Sequence, residues 1–176
     1  MNTLVSWRLG GSILRWSPVV SRLCYTYMTP GRAPRNQEKR VTRTQTDLNV
    51  RLWMEHVLAE NRRDLDRLID TLSDDAVYEI VPMKKFWRGK EEIRRFYTML
   101  WTAIPDVKLD LISRVADDRY VVEESHVHGM HTGPLFGIPP SNREIEFDLV
   151  IYFPFKDSKI MGERLYLDVN SITSQV

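Results

Sequence analysis

Cysteine is almost absent from this sequence, since Cys24 is the only one in 176 residues. An internal disulfide is therefore excluded, and nothing in the chain requires an oxidising compartment. Long apolar runs are also missing, because no stretch approaches the roughly 20 apolar residues that a helix needs to cross a bilayer. The Gly-rich stretch TGPLFGIPPSN is not followed by Lys-Ser or Lys-Thr, so it is not a phosphate-binding loop. The length of 176 residues fits one domain with an extension, and such a chain can bury enough surface for a stable core without disulfides.

The net charge is close to zero, +1, but it is unevenly distributed. Residues 1–40 contain six Arg and one Lys against a single acid, Glu38, and carry +6. Residues 41–176 therefore carry −5, the difference from the total. A mildly acidic body argues against nucleic acid as the main partner.

The N-terminal segment contains no Asp or Glu before Met28 and places Arg8, Arg15 and Arg22 at intervals of seven among apolar residues. Amphipathic, Arg-bearing and acid-free segments are typical of mitochondrial presequences. An equally open alternative is that the protein begins at Met28. We therefore expect a mitochondrial location if residues 1–27 are a genuine presequence, and a cytoplasmic one otherwise.

A polar, basic stretch without periodicity follows at residues 29–46 and is typical of a flexible linker. We therefore predict two parts in the chain. Residues 1–46 form a basic leader and linker, and residues 47–176 form a folded domain.

Hydrophobic periodicity within the domain predicts the order of its elements. Apolar residues recur at helical spacing in residues 47–58, 65–72 and 90–103, with a short strand at 76–81 before the third helix. The period then becomes two, which predicts four antiparallel strands. The pattern indicates an α+β fold with three helices packed on one face of a curved, mostly antiparallel sheet. The predicted apolar stripe of the first helix is Val50, Trp53, Met54, Val57 and Leu58.

Two stretches near the C-terminus carry a family resemblance. The stretch GMHTGPLFGIPPSNREIEF, residues 129–147, resembles a hairpin of the SnoaL-like polyketide cyclase, or ester cyclase, family. The stretch ERLYLDVNSITSQ, residues 163–175, resembles the terminal strand of the same family. The likeness extends over about residues 47–176 and implies the nuclear transport factor 2-like cone, whose interior keeps a pocket.

The resemblance also implies cofactor-free acid/base chemistry on a carbonyl compound in an apolar pocket. Arg164, Tyr166 and Asp168 share one face of the last predicted strand. If that face lines the pocket, the Asp168 carboxylate is poorly solvated and suited to proton transfer. The family uses an aspartate here as general acid/base in an aldol ring closure, and the resemblance implies that role for Asp168. A purely structural, hydrogen-bonded acid is the alternative.

Two further residues are candidates for the chemistry. Tyr166 could donate to a developing oxyanion. His131 occupies the histidine position of the family's hairpin, where the resemblance implies that it shapes the turn or touches substrate. His126, His128 and His131 spell His-x-His-x-x-His, but a metal site needs further ligands, so we predict no metal.

Aromatic residues are numerous enough to line a pocket, although core packing is the alternative for each of them. Asp148 would be a second carboxylate if its strand face points inward. His56 is interpreted as an ordinary boundary residue of the first helix. The predicted substrate-binding residues are Trp53, Tyr78, Trp87, Tyr97, Trp101, Phe136 and Asp148.

Two other functions stay open beside the cyclase or isomerase. Arg164 with two acids could support addition of water to an epoxide, as in related cones. A catalytically silent ligand-binding or dimerisation module could use its open sheet face to form a homodimer. We expect a small hydrophobic molecule as ligand, a homodimer, and no cofactor, nucleic acid or membrane span. A cone plugged by its own Trp or Phe side chains would favour the silent module.

Overall fold

A computed structural model describes residues 43–176, so the predictions for the leader, and with them the cellular location, lie outside the described residues. The described chain has the predicted α+β architecture, with helices against one six-stranded sheet. No helix among these residues is long and apolar enough to cross a membrane. The elements are α1 (Gln45–Asn61), α2 (Leu65–Asp70), β1 (Leu72–Ile80), β2 (Lys85–Arg88), α3 (Gly89–Ala103), β3 (Lys108–Ala116), β4 (Tyr120–His131), β5 (Arg143–Lys156), β6 (Lys159–Leu167) and α4 (Val169–Thr173).

Helix α1 begins at a capping box. The Thr44 hydroxyl accepts a hydrogen bond from the Asp47 amide at 3.1 Å, and the Thr44 amide donates to the Asp47 carboxylate at 3.0 Å. The predicted apolar stripe is only partly correct, since Met54 and Leu58 are 39% and 45% exposed. The helix is rotated so that a more polar face packs inward. Its buried residues are Asn49, Trp53, His56 and Ala59.

The other two predicted helices agree better with the sequence pattern. Asp64 caps α2 by accepting a hydrogen bond from the Arg67 amide at 3.2 Å. Helix α3 buries Ile93, Phe96 and Tyr97, three residues of its predicted stripe. It ends at Ala103, two residues before a proline, because proline disfavours helical geometry in the residue preceding it.

The sheet has the strand order β2-β1-β6-β5-β4-β3. All neighbouring pairs are antiparallel except β1 and β6, which run parallel. The short strand β2 was not predicted, because four residues carry too little periodicity to be recognised. In this strand order, the last strand, β6, lies between the first strand, β1, and β5, inside the sheet.

Strand alternation divides the sheet into an inner and an outer face. On β5, Leu149, Ile151 and Phe153 are buried, whereas Asp148 and Tyr152 are exposed. The sequence left open which face of this strand is internal, and the structure shows that it is the apolar one. The same division continues across β6 and β4, because paired residues in neighbouring strands point to the same face.

Gly162 lies where β6 approaches β1 most closely. Its φ is +130°, and a Cβ atom built there would lie 2.6 Å from the Val77 carbonyl carbon and closer still to the carbonyl oxygen. The β1/β6 register shifts between Leu72 and Val77, at the same place. Only glycine fits both the backbone angle and this contact.

The loop between β4 and β5 reaches the edge of the interior. Gly137 and Asn142 have φ values of +97° and +54°, the left-handed geometry that both residues tolerate. Phe136 has a φ of +52° and is held by Lys85, whose Nζ donates to its carbonyl oxygen at 2.9 Å. A bulky residue in this region is uncommon and is maintained by its surroundings.

Candidate functional site

A small cavity lies between the inner face of the sheet and the helices. Its volume is about 50 Å³, measured as the space open to the centres of water molecules. Twelve of its fourteen lining residues are apolar, and the other two are Glu60 and Glu163. The apolar lining residues are Ile80, Phe96, Leu100, Val107, Leu109, Val127, Phe136, Phe147, Leu149, Ile151, Leu165 and Leu167.

Glu163 faces this cavity because of its position on β6. It follows Gly162 and has the same strand parity as Leu165 and Leu167, so its side chain belongs to the inner face. Only 3% of the residue is exposed. A carboxyl group so deeply buried needs partners, because an unpaired charge in an apolar interior is costly.

The principal partner of Glu163 is His56. The His56 Nε2 atom lies 2.9 Å from Glu163 Oε1, and His56 itself is fully buried. On the other side of the ring, His56 Nδ1 lies 2.6 Å from the Thr71 hydroxyl. That hydroxyl donates its proton to the Leu68 carbonyl at 2.6 Å, so it must accept from His56 Nδ1–H. With Nδ1 protonated, the contact between Nε2 and Oε1 requires one further proton, which histidine and glutamate share.

Two tyrosines complete the network around Glu163. The Tyr97 hydroxyl donates to Glu163 Oε1 at 3.2 Å. Because that proton is committed, the Tyr78 hydroxyl donates to the Tyr97 oxygen, also 3.2 Å away. Burial, with the nearby Glu163 carboxylate, raises the pKa of both tyrosines well above the ordinary value, so both hydroxyls stay protonated.

Two more acids, Glu60 and Glu123, lie close enough to Glu163 for its charge to affect their pKa values. Burial, then the neighbouring Glu163 and Glu123, raise the pKa of Glu60 well above the usual range. Burial is also the main reason that the pKa of Glu123 rises to about 7, although Trp53 Nε1 donates to its Oε2 at 2.7 Å and opposes this shift. The interior therefore holds three carboxyl groups near one histidine.

We predict that Glu123 makes the folded protein less stable as the pH rises. Its folded pKa of about 7 exceeds the ordinary value of 4.5, so the folded state binds more protons than the unfolded state between these values. The free energy of unfolding therefore falls with rising pH in this window, by at most about 1.4 kcal/mol per pH unit from this group. Glu123→Gln should flatten that fall, and urea unfolding between about pH 5 and about pH 8 measures it.

Glu124→Gln is the matched control for this prediction. Glu124 is adjacent on β4 but points to the outer face, where it is exposed. Its substitution should leave the pH profile of stability unchanged. Identical profiles for the wild type and Glu123→Gln would show that Glu123 does not bind its proton more tightly in the folded state.

Asp168 does not lie in the cavity, so the expectation that it faces the pocket is wrong. It follows the last residue of β6, is exposed, and caps α4 by accepting a hydrogen bond from the Asn170 amide at 2.9 Å. The physical reason is strand parity: Asp168 continues the alternation of Arg164 and Tyr166, which face outward, whereas Glu163 and Leu165 face inward. Asp168 thus accepts a backbone hydrogen bond, as the structural alternative expected, but it is exposed rather than buried and does not pair with Arg164.

Tyr166 and Arg164 lie on the same outer face as each other, away from the cavity. Tyr166 is 36% exposed and packs edge-on against Tyr152. The Arg164 Nε donates to Glu79 at 3.0 Å. An oxyanion role for Tyr166 and an epoxide-opening set built on Arg164 therefore have no support from these positions.

Asp148 is likewise on the outer face, where His126 Nδ1 lies 2.9 Å from its carboxylate. His128 pairs there with Asp110 at 3.2 Å. His131 is buried on the opposite face of β4, with Nδ1 3.2 Å from the Ser141 hydroxyl, and it does not line the cavity. The three histidines are thus not brought together, and residues 43–176 contain no group of three or more His, Cys, Asp or Glu side chains arranged so that they could hold a metal ion.

The predicted aromatic residues fall into two groups. Tyr78 and Tyr97 belong to the network around Glu163, and Phe136 lines the cavity. The three tryptophans do not reach the cavity wall: Trp53 binds Glu123, Trp87 packs on Phe96 and Phe136, and Trp101 packs on Tyr97. Their predicted role in binding substrate has no support from these positions.

Sequence reasoning missed the acids and the histidine of the interior. The available signal was an acid in register with apolar residues: Glu163 shares its strand parity with Leu165 and Leu167, and Glu123 shares its parity with Val121 and Val127 on β4. On α1, His56 and Glu60 follow Trp53 at helical spacing. In this sheet, the acids that share their strand parity with apolar residues lie in the interior, whereas the polar face of β6 points outward.

Comparisons with known proteins agree with this architecture. The structure is similar to a candidate polyketide cyclase from Xanthomonas campestris pv. campestris, with a TM-score of 0.67, 18% identity, and coverage of 75% of this chain and 98% of that one. It is also similar to AclR of Streptomyces galilaeus, described as a candidate hydroxylase, with a TM-score of 0.60, 23% identity, and coverage of 72% and 92%.

A third similar structure is an LEH-like epoxide hydrolase from M. tuberculosis, with a TM-score of 0.60, 22% identity, and coverage of 75% of this chain and 91% of that one. At these identities the similarity establishes the fold alone. A search of curated proteins by sequence gives no match. The model of the SnoaL-like polyketide cyclase family matches residues 48–176. The nuclear transport factor 2-like cone and the family resemblance are thereby confirmed, and the chain belongs to the SnoaL-like polyketide cyclase family.

Proposed function

We propose that this chain is an enzyme that moves a proton at the carbon next to a carbonyl group, in a cofactor-free aldol-type cyclisation or isomerisation of a small apolar compound. Glu163, rather than Asp168, is the proton carrier. The observation that carries this proposal is the 2.9 Å contact between His56 Nε2 and Glu163 Oε1 at the wall of an apolar cavity.

The hydrogen bonds around Glu163 support a role in proton transfer. Among the described residues, the recorded hydrogen bonds to the Glu163 side chain come from His56 and Tyr97, and both end at Oε1. Glu163 also lines the cavity. In the carboxylate–imidazolium form of the pair, Glu163 can accept a proton from a ligand and return it later. Thr71 fixes the tautomer of His56, so the ring holds one orientation during both steps.

Exchange of α-protons for deuterium tests this proposal without knowledge of the natural substrate. A panel of small ketones and β-keto esters is incubated with the protein in D2O, and loss of the α-proton signal is followed by NMR. The wild type should accelerate exchange for at least one compound. Glu163→Gln should reduce that acceleration by roughly 10²- to 10⁴-fold, the usual effect of removing a general acid or base.

Asp168→Asn is the matched control, because it removes a carboxylate from the same segment but outside the cavity. Asn caps helices about as well as Asp, so α4 should be retained. Exchange by this variant should equal that of the wild type. If Asp168→Asn abolishes exchange and Glu163→Gln does not, the assignment of the proton carrier is wrong.

A catalytically silent binding module is the second candidate, and one observation favours it. The cavity of about 50 Å³ is small, and the aromatic side chains of Phe96 and Phe136 form part of its wall. A silent module would bind small carbonyl compounds, detected as shifted protein NMR signals, without exchanging their α-protons. Exchange that depends on Glu163 would exclude it.

A further inference from the structure

Glu60 is the other polar residue on the cavity wall. It lies on α1 one turn after His56, and this spacing directs both side chains to the same side of the helix. The residue is half-buried, and its side chain lines the cavity. Among the described residues, its side chain has no recorded hydrogen bond or ion pair. A carboxyl group in this position has spare hydrogen-bonding capacity that points to a ligand.

The surroundings of Glu60 favour the neutral acid. No Lys, Arg or His lines the cavity, and the nearby ionisable groups are mostly acids. Burial, followed by the charges of Glu163 and Glu123, raises its pKa well above the usual range. A carboxyl kept neutral in an apolar site is a hydrogen-bond donor. Since every other lining residue except Glu163 is apolar, Glu60 supplies the donor on this wall.

We propose that Glu60 is a second catalytic carboxyl, whose O–H group donates a hydrogen bond to the carbonyl oxygen of the ligand while Glu163 removes the neighbouring α-proton. This inference rests on the proposed function and assigns separate roles to the two carboxyl groups. The C–H bond breaks and its proton goes to the Glu163 carboxylate. Its electron pair forms the C=C bond of the enolate, and the π pair of the C=O bond moves to the carbonyl oxygen. The Glu60 hydrogen bond strengthens as that oxygen becomes negative, and the proton returns from Glu163 in the reverse step.

The same wall defines the charge of the ligand. A carboxylate or phosphate would meet the Glu163–His56 pair without any free cation, so an anionic ligand is strongly disfavoured. A cationic ligand would pair with the Glu163 carboxylate, which the proposed step requires as a free base. The substrate class is therefore a neutral carbonyl compound with a hydrocarbon body.

Two substitutions at Glu60 distinguish the effect of its hydrogen-bond donor from the effect of its side-chain size. Glu60→Gln keeps a donor of similar size, whereas Glu60→Leu removes it. The probe is cyclohexanone, whose infrared carbonyl stretching frequency falls when its oxygen accepts a hydrogen bond. Bound to the wild type and to Glu60→Gln, it should show the lowered frequency, and bound to Glu60→Leu it should not. Glu55→Leu, an exposed position on the same helix, is the control and should behave as the wild type.

The exchange reaction gives a second readout. Glu60→Leu should lower kcat by roughly 10²-fold, as expected for loss of one donor to an oxyanion. Wild-type activity should fall at a pH where Glu60 ionises, above the usual carboxyl range, and Glu60→Gln should lose this decline. The other titratable groups that face Glu60 are Glu163, Glu123, Tyr78, Tyr97 and His56, and all are retained in both variants.

The infrared result distinguishes failure of this inference from failure of the proposed function. A Glu60-dependent frequency shift without any exchange supports the donor and rejects the enzyme. Exchange that depends on Glu163, with the same probe frequency in the wild type and Glu60→Leu, overturns the donor role alone. Absence of cyclohexanone binding to the wild type also overturns it, provided that thermal unfolding shows the protein to be folded.

Discussion

Gly162→Ala should leave little folded protein. The new Cβ atom would lie 2.6 Å from the Val77 carbonyl carbon and 2.7 Å from the Val77 amide nitrogen, in the backbone of the neighbouring strand. Backbone atoms of a paired strand cannot move away without breaking the β1/β6 ladder. The positive φ adds strain. We expect a loss of more than about 4 kcal/mol in the free energy of unfolding, an effect that few single substitutions reach.

Gly137→Ala isolates the contribution of the clash. Gly137 also has a positive φ, +97°, but a Cβ atom there meets nothing within 4 Å. Its substitution should cost only the strain of the backbone angle, about 1 kcal/mol. Urea unfolding of both variants, or the yield of soluble protein for Gly162→Ala, measures the difference. Similar stabilities for the two variants would contradict the close approach of β6 to β1.

His56→Leu should be the second most damaging substitution. It leaves the buried Glu163 without its main partner and leaves Thr71 without a donor. Breaking one partner of a buried pair costs about 3–5 kcal/mol, because the remaining charge stays uncompensated. Replacing both residues, in His56→Leu with Glu163→Leu, should cost much less than the sum of the two single changes. A double-mutant cycle from urea unfolding gives this coupling directly.

The outer face of the sheet offers the control for that cycle. His128 and Asp110 form a histidine–carboxylate pair of 3.2 Å in which Asp110 is exposed. His128→Leu should change the free energy of unfolding by less than about 1 kcal/mol, since exposed pairs contribute little. Equal effects at His56 and His128 would mean that the buried pair has no special role in stability.

The hydrophobic periodicity of the sequence predicted most of the helices and strands. It did not predict which face of each strand points into the interior. The spacing of Ile93, Phe96 and Tyr97 correctly identified the buried side of α3. On α1 the same method selected Met54 and Leu58, which are exposed, because the interior there has polar partners for a polar face. The parallel pairing of β1 with β6 has no local signal, since it joins segments about 90 residues apart in the sequence.

The candidate site was predictable only in its location near the C-terminal strand. The family resemblance directed attention to Asp168, five residues after the acid that faces the cavity. Alternation alone could not choose between the two faces of β6, and the polar trio looked more like a site than one acid among leucines. His56 looked unremarkable because its partner, Glu163, lies 107 residues later in the sequence.

That separation has a consequence for how the domain is made. During vectorial synthesis, α1 and five strands leave the ribosome before β6, yet β6 must insert between β1 and β5. Until then the sheet is open at its centre, and its apolar edges can aggregate. Loop closure over such distances is slow, so we expect the insertion of β6 to limit the rate of folding. Folding would then be completed only after synthesis of β6, and we expect chaperones to assist it. The buried Glu163–His56 pair is consequently one of the last features of the molecule to form.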